Sequence, residues 1–281
     1  MDKNILDNFI LSALKEDLGD GDHTSLACIA NSATGKAKLL IKDSGVLAGM
    51  EVIKRIYEIF SKHFILEVFI NDGEKINKGD IAYIVKGETI AILQTERLSL
   101  NILQRMSGIA TTTRKYADQL TGLKTKVLDT RKTTPNVRFL EKEAVKIGGG
   151  ENHRMGLYDM ILIKDNHIDY AGGIEPAIIK TKKYLSSINK NLKIEIEGRN
   201  IEEIREIIRV GGIERILLDN FTIDETKEAV KLINGKYETE SSGGINIETI
   251  RKYAECGVDY ISVGALTHQI LSLDMSLKAI E

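Results

Sequence analysis

The sequence predicts an α/β barrel, incomplete and TIM-like with parallel strands, preceded by an N-terminal α+β sandwich domain. Beyond residue 120, short apolar runs alternate with amphipathic stretches. The runs are TKVLDT (125–130), DMILIK (159–164), KIEIE (193–197), ERILLD (214–219), YETES (237–241) and DYISV (259–263). Helical patterns such as IEEIREIIRVGG and DETKEAVKLING lie between them. Short buried strands joined by helix-length crossovers make a parallel sheet, and six or seven such units suit a barrel. No GxGxxG opens a helix after the first run, which argues against a dinucleotide-binding open sheet. Residues 1–110 have a different rhythm of short strands and turns, as a separate smaller domain would.

Along the N-terminal part, Ile5, Phe9, Ile10 and Leu14 recur at helical spacing, predicting a helix over 4–17. The stretch GDGDHTS (19–25) reads as a polar loop. Residues 34–48 read as two short strands around an Asp-Ser-Gly turn, and 49–63 as a helix. Within 64–94, FILEVFI, IAYIVKG and TIAIL read as strands separated by NDG and NKGD turns. Residues 95–120 form a long amphipathic helix with Leu98, Ile102, Met106 and Ile109 as its apolar stripe. Arg97, Asn101, Gln104 and Gly108 line a second stripe. The expected domains are therefore 1–110, including the linking helix, and 111–268, the barrel. Residues 269–281 are expected to form a C-terminal helix packing back on the first domain.

Composition narrows the function. The chain has 281 residues, with 39 Lys and Arg against 41 Asp and Glu, a net charge of -2. Nucleic-acid binders usually carry a basic excess, so nucleic acid is not an expected partner. The two cysteines, Cys28 and Cys256, have neither disulfide-framework nor zinc spacing. No apolar run approaches the roughly 18 residues that span a bilayer, and the start reads as a helix rather than a signal. The expectation is a soluble cytoplasmic protein with no membrane partner.

The chemistry is concentrated in residues 129–167, which gather Arg131, Lys132, Arg138, His153, Arg154, Lys164 and His167 around a Gly-Gly-Gly turn. Arg offers a planar fork to carboxylate or phosphate and Lys a compact point charge, so the cluster suits a small polyanionic substrate. In a barrel, residues at the carboxyl ends of the strands converge on one mouth. Those ends carry Arg131 and Lys132, then Lys164, then Glu195 and Glu197, then Asp219 and Asn220. Ser242-Gly243-Gly244 and Gly264-Ala265 complete the set. Glu195 and Glu197 are two apart on a strand and share a side. With Asp219 they could stabilise a developing cation, hold Mg²⁺ or bind sugar hydroxyls, or else form salt bridges inside the barrel. Glycine-rich turns after the last two strands suit a phosphate cradle. Arg138, Lys142 and Lys146 read as a solvated helix face, with Arg138 the one to turn inward. His63 and His268 read as surface or packing residues.

These residues resemble the quinolinate phosphoribosyltransferase family across nearly the whole chain. The resemblance runs through EDLGDGDHTS (16–25), TERLSLNILQRMSGIATTT (95–113), DTRKTTP (129–135), GGGENHRMGLYD (148–159) and LIKDNH (162–167). IEIE (194–197), LLDN (217–220), SSGGI (241–245) and ISVGALTH (261–268) complete it. It implies quinolinate and phosphoribosyl pyrophosphate as substrates, with nicotinate mononucleotide, pyrophosphate and carbon dioxide as products. It implies Mg²⁺, bound mainly through the pyrophosphate with Glu197 and Asp219 as protein contacts, and no organic cofactor. It places quinolinate on Arg131, Lys132, His153 and Arg154, with Arg97 contributed across a homodimer or a hexamer of dimers. Phosphoribosyl pyrophosphate falls on Lys164, Glu197 and Asp219, and its 5-phosphate on Ser242, Gly243, Gly244, Gly264 and Ala265. Lys132, Lys164, Glu197 and Asp219 are the expected catalytic residues. Asn136, and GRN at 198–200, depart from the family pattern without touching these positions. A relative associated with molybdate transport shares the fold and many motifs, and the intact Arg131-Lys132 and His153-Arg154 pairs favour quinolinate over it. A Schiff-base lyase using Lys164 is a further alternative.

Overall fold

A computed structural model describes residues 2–281. In chain order the elements begin with α1 (Lys3–Leu18), α2 (His23–Cys28), β1 (Thr34–Ile41), β2 (Gly45–Val46) and α3 (Met50–Phe60). β3 (Ile65–Val68), β4 (Lys75–Ile76), β5 (Ile81–Glu88) and α4 (Thr89–Gln119) follow. Then come β6 (Lys126–Leu128), α5 (Arg138–Ile147), β7 (Ile161–Ile163), α6 (Asp165–Ala171) and α7 (Ile174–Ser187). β8 (Ile194–Gly198), α8 (Ile201–Val210), β9 (Arg215–Asp219), α9 (Ile223–Ile233) and β10 (Glu238–Ser242) continue the alternation. The chain ends with α10 (Ile250–Ala254), β11 (Tyr260–Ser262), α11 (Ala265–His268) and β12 (Met275–Ile280).

Two compact units divide the chain. The first comprises residues 2–114, Phe139–Gly149 and Ile270–Glu281. Its helix α1 starts where the Asp2 carboxylate accepts the Asn4 and Ile5 amides at 2.9 and 3.2 Å, and buries Leu6, Ile10 and Leu14. Its main sheet is antiparallel, in the order β12-β1-β5-β3. Two expectations are corrected here. The segment TIAIL is the first turn of α4 rather than a strand. A short apolar run fits both states, and no Gly or Pro separates this one from the helix that follows. Residues 275–280 are strand β12, not a helix. Met275 and Leu277 face the core with Leu39 and Ile41 as register partners, so the β1 edge gains a full antiparallel partner.

The division also differs from the expected boundary, falling at Arg114/Lys115 within α4 rather than at 110/111. Helix α5 joins the first unit through buried Leu140, Ala144 and Val145 and through Glu141, whose carboxylate accepts from Arg105 Nε at 2.8 Å. Gly148 follows α5 and packs on the Ala110 backbone, while Arg114 Nε donates to its carbonyl at 3.0 Å. Lys142, expected on a solvated face, is fully buried.

The second unit, Lys115–Arg138 with Gly150–Gln269, holds a parallel six-stranded sheet in the order β6-β11-β10-β9-β8-β7. All six expected barrel strands are present. The ring is incomplete: β6 and β7 are its ends, and β6 pairs beyond β11 only through one isolated bridge, Leu128 with Glu151. Helices are started by polar caps, as where Thr222 and Glu225 form a reciprocal capping box on α9. Along the strands, Ile196, Ile216, Leu218 and Ile261 are fully buried. Alternating with them, Glu195, Glu197, Arg215 and Glu240 share the opposite side, so the interior of this barrel is charged.

Candidate active site

The carboxyl ends of five of the six parallel strands, β6, β7, β9, β10 and β11, line a cavity of about 490 Å³. A cavity of about 510 Å³ lies at the opposite strand ends, among Lys124, Lys193, Glu214 and Asp259. Three of those four charged groups are engaged. Lys124 pairs with Asp259 at 2.8 Å, and Glu214 accepts the Ile194 amide at 2.6 Å. The carboxyl-end cavity gathers Arg131, Lys132, Arg154 and Lys164, and it is where parallel barrels place their chemistry.

Around it stand Arg131, Lys132, His153, Arg154, Lys164, Asp219, Ser242, Gly243, Gly244 and Gly264. Arg131 and Lys132 follow β6 and are exposed. The Lys132 amide donates to Thr130 Oγ1 at 3.0 Å, and its carbonyl accepts from Thr267 Oγ1 at 2.7 Å. Arg138, the expected inward cation, staples this loop instead, donating to Thr133 Oγ1 and to the Met155 carbonyl, each at 2.9 Å. Burial and the neighbouring Arg131 lower the pKa of Arg154, while Glu195 opposes them. Such a crowded pair of arginines gains from a bound dianion.

Lys164 follows β7, with Nζ 3.5 Å from Glu197 Oε2. Burial raises the Glu197 pKa, Lys164 works against the rise, and Asp219 adds to it. Asp219 ends β9, and the next residue holds it. Asn220 adopts φ +56 and donates from Nδ2 to Asp219 Oδ2 at 2.7 Å, while its amide donates to the Ser242 carbonyl at 2.9 Å. Gly243, with φ +99, packs against this turn: a Cβ there would collide with Asn220 Oδ1 and lie 2.9 Å from the Asn220 nitrogen. Gly244 has φ +62 and open space beside it. Among the described residues, none accepts from the Gly243 or Gly244 amides, which leaves them for an anion. At Gly264 a Cβ would lie 2.9 Å from His268 Nε2 and 3.0 Å from Lys132 Cδ, so glycine lets this turn close on the Lys132 loop. His268 is exposed and packs beside Gly264, outside the cavity lining. Ala265 begins α11 next to that turn and is not among the lining residues. Arg97 is exposed on α4 and is not among them either.

His153 departs from its expected role as a cation offered to ligand. Its side chain is only 7% exposed, with Nε2 2.9 Å from Glu195 Oε2 and 3.5 Å from Glu240 Oε2. Nδ1 accepts the Arg154 amide at 2.7 Å, so both ring nitrogens face protein groups. The His153 amide donates to Asp129 Oδ1 at 2.9 Å. Behind the carboxylates, Arg215 Nη1 donates to Glu240 Oε2 at 3.0 Å and the guanidinium sits 4.0 Å over the Tyr260 ring. Burial pushes the Glu195 carboxyl up to about 7, with Arg215 opposing. Burial and the Glu195 charge do the same for Glu240, also to about 7.

The donor atoms of His153, Glu195 and Glu240 lie within 4.8 Å of one another, close enough for a metal ion. Arg215 already supplies positive charge there, with Nη1 3.0 Å from Glu240 Oε2. Glu197 and Asp219 fit a hard divalent ion better. Asp219 ends β9 and lines the cavity, while Glu197, one residue before the end of β8, is buried, is not among the lining residues and feels the Asp219 charge. Sequence reasoning missed Glu240 and Arg215. Period-two alternation with Ser242 and Asp219 would have placed both on the inner face.

A parallel barrel whose mouth joins convergent arginines and lysines, an acidic pair and a glycine-lined anion loop belongs to enzymes of small polyanionic substrates. Residues 22–107 match the N-terminal domain, and residues 109–278 the C-terminal domain, of quinolinate phosphoribosyl transferase. The chain therefore belongs to the quinolinate phosphoribosyltransferase family. It is 42% identical over 281 residues to quinolinate phosphoribosyltransferase [decarboxylating] 2, mitochondrial, of Nicotiana glauca, covering 95% of this chain and 80% of that one. It is 40% identical over 275 residues to the probable nicotinate-nucleotide pyrophosphorylase [carboxylating] of Bacillus subtilis (strain 168), covering 98% and 92%. The crystal structure of NadC from Streptococcus pyogenes superimposes with a TM-score of 0.93 at 35% identity, covering 100% of this chain and 99% of that one.

Proposed function

We propose that this enzyme transfers the phosphoribosyl group of phosphoribosyl pyrophosphate to the ring nitrogen of quinolinate. Pyrophosphate and carbon dioxide are released and nicotinate mononucleotide remains, a step in NAD synthesis. The observation that carries the reading is the convergence on one cavity of Arg131, Lys132, Arg154 and Lys164 with Asp219 and the open amides of Gly243 and Gly244.

Arg131 and Arg154 bind the two ring carboxylates through paired N–H donors, and Lys132 adds a point charge beside them. The 5-phosphate lies on Ser242, Gly243, Gly244 and the turn at Gly264 and Ala265. Lys164 faces the pyrophosphate side. As the bond from C1 of the ribose to pyrophosphate breaks, the ribosyl centre becomes cationic, and Glu197 and Asp219 stabilise it. Glu197 and Asp219 would also hold Mg²⁺, which when bound neutralises the departing pyrophosphate. The bond from the ring nitrogen to the ribose leaves that nitrogen positive. The positive ring then takes up the electron pair left at C2 when the carboxylate departs as carbon dioxide, and a proton replaces it.

Arg97 completes the quinolinate site from a second copy of the chain, in a homodimer or a hexamer of dimers. Its exposure and its absence from the cavity lining support this. Cytoplasmic action is consistent with free Cys28 and Cys256, and no helix among the described residues is long and apolar enough to cross a membrane. The test is turnover of purified protein with phosphoribosyl pyrophosphate and Mg²⁺, supplied with quinolinate or with nicotinate. Nicotinate mononucleotide formed from quinolinate alone supports the reading. No product, or equal use of both acids, overturns it.

A further inference from the structure

His153 is the one member of the expected cation set that the fold turns inward. Its Nδ1 receives the Arg154 amide at 2.7 Å. A proton on Nδ1 would set two N–H groups head to head at that separation, so the lone pair must stay there and the ring proton belongs on Nε2. Nε2 faces Glu195 at 2.9 Å and Glu240 at 3.5 Å. Both Glu195 carboxyl oxygens and Oε1 of Glu240 are buried without a hydrogen-bond partner. Buried acceptors in that position call for a donor, and Nε2–H is the donor at hand. Arg215 of β9, paired to Glu240 at 3.0 Å, fixes the far side of the cluster.

We propose that His153 is a neutral, Nε2-protonated positioning residue: the Arg154 amide holds the lone pair on Nδ1, and Glu195 and Glu240, braced by Arg215, accept from Nε2–H and fix the ring so that Nδ1 anchors the Arg154 backbone. The cations left to recognise a dicarboxylic acid in the cavity are then Arg131, Lys132 and Arg154. Its second arm rests on the quinolinate-transferase reading of the same pocket. Glu195 of β8 and Glu240 of β10 face the ring at Nε2, and buried Asp129, just after β6, accepts the His153 amide at 2.9 Å. Arg215 of β9 lies behind the two glutamates, and Lys164 after β7 and Arg154 act on Glu195 from the cavity. Glu195 is the informative position. In a Glu195→Gln chain the amide oxygen still accepts from Nε2–H and the amide N–H can face Glu240. In a Glu195→Ala chain neither remains.

The test has two arms. The wild-type enzyme is labelled with ¹⁵N-histidine, and the His153 signal, one of five, is assigned by its loss in His153→Gln. Two-bond correlation spectra then report which ring nitrogen is protonated between about pH 6 and pH 8, across the ordinary histidine range. An unprotonated Nδ1 and a protonated Nε2 throughout are expected. A protonated Nδ1 anywhere in that range overturns the proposal. In the kinetic arm, Glu195→Ala should raise KM for quinolinate at least about tenfold, with KM for phosphoribosyl pyrophosphate within about threefold. Glu195→Gln should restore quinolinate KM to within about threefold of wild type. A glutamine variant as impaired as alanine, or both KM values rising together, overturns it. If wild-type protein does not turn over quinolinate, the functional reading fails and the spectra alone decide the tautomer.

Discussion

Gly243→Ala tests whether the sugar-phosphate loop and the acidic pair are built as one piece. Gly243 has φ +99, and a Cβ there would collide with Asn220 Oδ1 and lie 2.6 Å from its Cγ. Holding alanine in that backbone region costs about 1–3 kcal/mol. The collision also displaces the Asn220 amide, whose Nδ2 sits 2.7 Å from Asp219 Oδ2. A hydrogen bond to a charged group contributes about 1.5–3 kcal/mol. If that contribution serves phosphoribosyl pyrophosphate binding, KM for it rises roughly 10- to 150-fold, since each 1.4 kcal/mol is tenfold. Steady-state kinetics with each substrate varied would read this, with quinolinate affinity measured by calorimetry and expected within about threefold of wild type. Gly122→Ala is the control for strain alone: φ is +84, open space surrounds it and it does not line the cavity. It should lower stability without moving either KM. A Gly243→Ala enzyme whose KM for phosphoribosyl pyrophosphate stays within about twofold of wild type would refute the coupling of Gly243, Asn220 and Asp219.

Three further outcomes are expected. Arg131→Ala removes a carboxylate fork and should raise KM for quinolinate roughly 10- to 150-fold, on the same scale of about 1.5–3 kcal/mol per charged hydrogen bond; varied-substrate kinetics check it. Asp219→Asn keeps the shape and removes the charge facing the ribosyl centre, so kcat should fall about 10²–10³-fold with quinolinate affinity little changed, as single-turnover rates and calorimetry would show. Glu240 is raised to about 7 in the fold from an ordinary value of 4.5, so the folded chain holds a proton there that the unfolded chain releases. Stability from this group is full below about pH 4.5 and is lost as pH rises toward about 7. Denaturant unfolding of Glu240→Gln at several pH values should show that decline flattened.

Most of the barrel was legible because its strands are short apolar runs closed by Asp, Asn, Ser or Gly, which a parallel sheet with loops at one end requires. The inward pairing of Glu195 with Glu197 followed from period two alone. Other features were not legible because they depend on tertiary partners. MSLKAI becomes β12 because the β1 edge offers an antiparallel partner. TIAIL continues into α4 because nothing interrupts the helical pattern after it. Lys142 reads as solvated from its spacing with Arg138 and Lys146, yet its side chain is fully buried. The direction of the His153 ring depends on Glu195 and Glu240, which arrive from strands 42 and 87 residues further along the chain. No local pattern encodes that meeting.

On the proposed mechanism this mouth couples ribosyl transfer to loss of the C2 carboxylate. The most direct measurement supplies quinolinate ¹³C-labelled at that carboxylate, with and without phosphoribosyl pyrophosphate, and counts labelled carbon dioxide against nicotinate mononucleotide. Equal amounts of the two, formed only when both substrates are present, are expected. Labelled carbon dioxide without phosphoribosyl pyrophosphate, or a ribosylated product that keeps the label, would contradict the account.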